Sequence, residues 1–155
     1  GPVERVSCFI NNTIHPYRSE DSAVALLSFA NGAMASVDTF FCIQDASSLN
    51  ALELYGSKGS VLATNTIGQG DRGEMTAYLE GGDAGYAAQQ NREIGGGIRI
   101  SPEPRNTYRS EIEEWSSAIL ESRISALDSR IGVENQKILD ACYLSARSGK
   151  SVDIV

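Results

Sequence analysis

SAVALLSFANGAMASVDTFFCI, residues 22–43, reads as two strands folded back on one another. The runs Ser22 to Ala30 and Ala33 to Ile43 flank Asn31-Gly32, a dipeptide whose tolerance of positive φ suits a tight hairpin turn. Upstream, Val6, Cys8 and Ile10 alternate with Ser7, Phe9 and Asn11, the strand period that sets one group of side chains on a core face. Downstream, Leu52 and Leu54 lead through Gly56-Ser57-Lys58-Gly59 into Val61-Leu62-Ala63, which predicts a second hairpin. Met75, Ala77 and Leu79 then alternate with Thr76, Tyr78 and Glu80, as a further strand does.

Residues Gly81 to Gly97 are rich in glycine and poor in large apolar groups, a composition that makes a loop, a lid or a disordered insert rather than a core. Beyond them the period changes. Tyr108, Ile112, Trp115 and Ile119 recur at helical spacing and stack on one face, which is expected to lie on the sheet. Asn106 or Thr107 is the N-cap, with Glu111, Glu113 and Glu114 toward the positive end of the helix dipole. A second helix runs from about Ile131, with Ile138, Leu139 and Cys142 inward, and stops at Gly149; Val152 to Val155 closes as a short strand. The order of elements predicts one α+β domain over residues 1–155.

A chain of 155 residues, 41% hydrophobic, buries a core of ordinary domain size. Its formal charge of -7, with Lys and Arg scattered singly, supplies no basic stripe for phosphates or anionic lipid, so neither nucleic acid nor a membrane surface is an expected partner. No apolar run approaches the ~18 residues that a membrane span needs, and the start lacks the charged-then-apolar pattern of a signal peptide. Cys8, Cys42 and Cys142 are odd in number and far apart; they read as reduced thiols of a cytoplasmic protein, with no zinc spacing.

Two passages carry a resemblance. One begins at Asp21-Ser-Ala-Val-Ala-Leu-Leu-Ser-Phe-Ala-Asn-Gly-Ala-Met-Ala-Ser and continues with Leu-Tyr-Gly-Ser-Lys-Gly-Ser-Val-Leu, ending at Leu62. The other runs from Glu134 to Val152 and includes Asp140-Ala-Cys-Tyr-Leu-Ser-Ala-Arg-Ser-Gly-Lys-Ser-Val152. In order and spacing they resemble the paired hairpins, final helix and final strand of the C-terminal domain of the Gfo/Idh/MocA oxidoreductases (glucose-fructose oxidoreductase and inositol dehydrogenase). Asn106-Thr-Tyr108, opening the penultimate helix, fits the same template.

The resemblance implies an open, largely antiparallel sheet with helices packed on one face, the other face serving substrate and a second subunit. It also implies that the chemistry lies elsewhere. Family members bind NAD or NADP on an N-terminal Rossmann domain, use the Lys of a Glu-Lys-Pro segment, and carry an Asp and a His four residues apart just before the region where this sequence begins. None of these is matched here, so the sequence is expected to be a truncation that holds no cofactor and no catalytic residue of its own. The implied substrate is a sugar, cyclitol or related polyol. It lies against the loop after the strand that ends near Phe41 and the loop entering the penultimate helix, which points to Phe40, Gln44, Ser48 and Arg99, with His15 as an outsider.

Other constellations are weaker. Gly68-Gln-Gly70-Asp-Arg-Gly73 matches the letters of a dinucleotide fingerprint, yet the residues after it alternate like a strand where a helix should begin. Gly56-Ser-Lys-Gly-Ser60 lacks the spacer of a phosphate loop and is a turn. His15 is the single histidine and has no metal-ligand spacing to a second. No Gly-x-Ser-x-Gly elbow occurs. The expectation is therefore a substrate-binding and oligomerisation domain that pairs with a second copy through its open sheet face, where Val24 and Leu26 supply apolar groups on one parity and Ala25, Leu27 and Phe29 on the other. The rival from another class is a free-standing non-catalytic α+β module that binds a small molecule or a partner protein on that face; a complete small enzyme built on His15 ranks behind both.

Overall fold

The computed structural model describes residues 1–79 and 96–154. The glycine-rich segment that the sequence marks as a lid or insert lies outside the described residues, save for Gly96 and Gly97. Two compact units divide the chain, one made of Gly1–Ser48 with Ala126–Val155 and the other of Leu49–Ser125.

In the first unit, β1 (Val3–Asn11), β2 (Ser22–Phe29), β3 (Met34–Phe40) and β8 (Val152–Asp153) form a four-stranded sheet in the order β3-β2-β1-β8. All three pairings are antiparallel. The Asn31-Gly32 turn is where the sequence put it: Gly32 holds φ at 83°, and its N–H bonds to Phe29 O at 2.9 Å. The register sets Val6 opposite Leu27, Cys8 opposite Ala25 and Ile10 opposite Ala23, so one face carries the core. On that face lies the helix Ser129–Ser148, which follows the helix Thr107–Leu120 in the chain; we call them α2 and α1. Val6, Cys8, Ala25 and Ala141 are buried together, with Ile138 and Cys142 packed against them.

The stripe that α2 presents differs in part from the expected one. Leu139 stays half exposed, whereas Ala141 and Ser145 are buried. Small side chains there let the helix axis approach the strands. The Ser145 hydroxyl then joins three elements, accepting the Cys8 N–H at 2.9 Å and donating to Lys150 O at 2.7 Å. Asp128 caps α2 by accepting the Arg130 N–H, and Gly149 ends it in the left-handed conformation with φ 66°.

In the second unit, β4 (Ala51–Gly56), β5 (Gly59–Thr64), β6 (Glu74–Leu79) and β7 (Ile98–Ile100) form another antiparallel four-stranded sheet in that order. The fold class is the expected open, antiparallel α+β arrangement, with hydrogen bonds dividing the strands between two sheets where one sheet was the expectation. Helix α1 is capped by Asn106, whose side chain accepts the Arg109 N–H at 2.9 Å. Its expected buried face is a correction: Tyr108, Ile112, Trp115 and Ile119 are all exposed, and Ala118 is the buried residue. The expected pairing of acids with the helix dipole is a correction too, because no acid lies in the first turn of α1, and Glu114 is engaged elsewhere. It meets Arg123 through two bonds of 2.7 and 2.8 Å, and Arg123 also holds Glu121 at 2.7 Å, which closes the turn after the helix.

Candidate functional site

The loop between β1 and β2 is organised by one carboxylate. Asp21 is 1% exposed, and its side chain accepts the backbone N–H groups of Thr13, Ile14 and His15 at 2.7–3.1 Å. Its own N–H bonds to Asn11 O at 3.0 Å, and its carbonyl accepts from Phe41 N at 2.8 Å and Cys42 N at 3.2 Å. A single residue therefore ties the β1–β2 loop to the chain leaving β3. Hydrogen bonding to Ile14 holds its carboxyl below the ordinary range against the opposing effect of burial, with His15, Thr13 and Ser22 adding to the lowering. Because these donors occupy the oxygens, Asp21 is a poor general base and a good anchor.

The anchored loop presents aromatic groups. The His15 ring stacks on Tyr17 with centroids 5.0 Å apart and planes 8° from parallel, and it meets Phe41 at 5.9 Å with a tilt of 53°. His15 Nε2 lies 3.4 Å from Phe41 O. Beside this cluster opens a cavity of about 450 Å³ between the α2 side of the sheet and the loop, with Tyr17, Phe41, Val37 and Leu139 among its walls. At its margin the Tyr143 hydroxyl donates to Glu20 Oε1 at 2.5 Å. That bond lowers the Glu20 carboxyl and raises the Tyr143 phenol. The result is an apolar, partly aromatic hollow with one phenol–carboxylate pair at its edge.

Of the residues that the sequence singles out, four fall in the first unit. His15 is in the aromatic cluster; Phe40 ends β3; Gln44 and Ser48 flank the short 3-10 turn Asp45–Ser47. Parity separates Phe40 from the cavity. Phe40 pairs with Ser22 and lines a shallow hollow on the outer face with Phe9 and Val24, while Phe41, one residue on, lines the cavity. Arg99 lies in the second unit, exposed on β7 and 3.7 Å from Glu74. Sequence reasoning passed over Tyr17, Phe41 and Tyr143. The alternation of Val37, Thr39 and Phe41 was the available signal for the second of them.

Gly68–Gly73 runs between β5 and β6, an antiparallel pair, so no helix N-terminus follows Gly73 to receive a pyrophosphate. These residues do not fit a dinucleotide. Among the described residues no group of three or more His, Cys, Asp and Glu side chains could hold a metal ion, and no helix is long and apolar enough to cross a membrane.

A family model described as the oxidoreductase family C-terminal alpha/beta domain matches residues 2–154. A comparison with curated protein sequences gave no match. Among solved structures, an aldose-aldose oxidoreductase from Caulobacter crescentus complexed with glycerol superposes with a TM-score of 0.77 at 20% identity, over 98% of this chain and 41% of that one. Levoglucosan dehydrogenase with NADH and L-sorbose gives 0.78 at 18% identity, over 100% and 45%. The WlbA dehydrogenase from Bordetella pertussis with NADH and UDP-GlcNAcA gives 0.68 at 21% identity, over 100% and 41%. The chain thus spans less than half the length of these structures, and the likeness carries the fold.

Proposed function

Since the chain belongs to the Gfo/Idh/MocA oxidoreductase family as its C-terminal α/β domain, we propose that it is the substrate-binding and self-association part of an NAD(P)-dependent oxidoreductase acting on a sugar, cyclitol or related polyol. The observation that carries this reading is the family match over residues 2–154 together with a chain that covers 41–45% of NADH-bound dehydrogenases of the same fold. In this reading the nicotinamide is held by an N-terminal Rossmann domain of the longer protein, and the 155-residue chain alone does not turn over substrate. We place it in the cytoplasm with its thiols reduced.

Phe40, Gln44 and Ser48, along the chain leaving β3, together with His15 and Arg99, are the proposed substrate contacts. In the full-length enzyme Gln44→Ala and Arg99→Ala are expected to raise KM or lower kcat several-fold toward the best polyol. Unchanged steady-state kinetics in both variants would reject the assignment.

The partner proposed for the outer face of the first sheet is a second copy of this chain. Phe9 is 81% exposed and Met34 86%, and Val24 and Leu26 stand beside them on a face that a solvated strand fills with polar groups. Light scattering behind size exclusion is expected to give twice the 16.6 kDa chain mass or a larger multiple. Met34→Asp should return it to one chain mass without loss of helix signal, because Met34 is outside the core. A strictly monomeric parent at tens of micromolar refutes the pairing.

A further inference from the structure

Two thiols from opposite ends of the chain belong to one core cluster of the first unit and line one cavity. Cys8 sits on the inward face of β1, opposite Ala25, and is buried in the core cluster. Cys142 projects from α2, packs against that cluster, and lines the same cavity as Cys8. Both are free cysteines. Around them stand apolar groups, Ile10 and Leu139 among them, and the backbone beneath Cys8 is fixed by the Ser145 hydroxyl at 2.9 Å. The third cysteine, Cys42, follows β3 and is not among the cavity's lining residues.

We propose that Cys8 and Cys142 form an oxidisable dithiol which, when the folded chain meets a peroxide, closes to a disulfide and joins β1 covalently to α2. The cavity admits a small oxidant to the more accessible partner. The Cys142 thiolate attacks one peroxide oxygen; an S–O bond forms, the O–O bond breaks, and the departing hydroxide takes a proton to become water. The Cys8 sulfur then attacks the Cys142 sulfenic acid; the S–S bond forms, the S–O bond breaks, and a second water leaves with the Cys8 proton. Two thiols lose two electrons and one hydrogen peroxide becomes two waters.

The surroundings set the pace. Burial first, then the neighbouring Cys8 thiol, pushes Cys142 up to about 11, so little thiolate exists near neutral pH and the reaction is slow. The same environment makes a protein thiolate a poor leaving group, so the bond once formed resists reduction. The pair acts as a slow and durable clamp, unlike a low-pKa thiol that signals rapidly.

Treating the folded 155-residue chain with hydrogen peroxide, alkylating it and digesting it with trypsin tests the proposal. Peptide 6–18 is expected to appear linked to peptide 138–147, whereas a bond to Cys42 would involve peptide 19–58. The linking rate should rise about tenfold per pH unit between pH 7 and 9. The thermal midpoint should rise by several degrees after oxidation, a gain that Cys142→Ser abolishes. Full alkylation of Cys8 and Cys142 after peroxide, arrest at sulfinic acid on Cys142 without the link, or an equal linking rate in guanidinium-unfolded chain would each overturn it.

Discussion

Gly59→Ala is expected to destabilise the second unit by about 3 kcal/mol or more, measured as a fall in the urea midpoint at constant m-value. Gly59 opens β5 at φ 133°, a conformation that L side chains rarely adopt. A Cβ added there would stand 2.0 Å from Tyr78 O and 3.0 Å from Leu79 Cα, both backbone atoms of β6. Neither atom can withdraw without opening the ladder, because Gly59 faces Leu79 and Ser60 faces Tyr78 in the β5–β6 register. Gly32→Ala is the matched control. Gly32 also has positive φ, at 83°, but an added Cβ there meets nothing within 4 Å. Only the backbone strain remains, about 1–2 kcal/mol. Equal losses for the two variants would contradict the close approach of β5 to β6.

Replacing Asp21 by Asn is expected to have the largest effect in the first unit, lowering its thermal midpoint by on the order of 5–10 °C at pH 7. Asn keeps the shape but offers one acceptor oxygen to a loop that supplies donors from Thr13, Ile14 and His15. Its NH₂ group would oppose a backbone N–H. The pH dependence has a definite sign. Asp21 is depressed in the folded state, so its contribution is fully present above the unfolded carboxyl value of about 3.9 and is lost as pH falls through the lower folded value. The difference between parent and Asp21→Asn should therefore be large at pH 5–7 and shrink below pH 4. A difference that stays constant down to pH 2 would show that the carboxylate charge does not hold the loop.

Local patterns made the two hairpins, both helices and the closing strand legible, because each rests on a signal within a few residues: Asn31-Gly32, Gly56 to Gly59, the helical recurrence from Tyr108, and Gly149 after α2. What depends on distant pairing was not legible. Alternation tells which side chains share a face, but it does not say that β3 and β4 fall in different sheets. Strand β7 has three residues, too few for a period to register. Side-chain size in the α2 stripe points to Leu139, whereas close packing on β1 selects the small Ala141 and Ser145. Arg99 shows the same limit at the candidate site, since a loop side chain chosen by resemblance proved to lie on a short strand of the second unit. The aromatic cluster of His15, Tyr17 and Phe41 exists because Asp21, buried and far from typical for a surface acid, gathers two segments that no sequence spacing links.

In the proposed function this chain is the substrate-side domain of an oxidoreductase whose nicotinamide is held elsewhere. Calorimetric titration of NAD and NADP into the 155-residue chain tests it most directly. The loop from Gly68 to Gly73 is followed by a strand, so no saturable heat is expected with either cofactor, while the full-length protein is expected to bind one of them. Saturable binding to the isolated chain at micromolar concentration would contradict it.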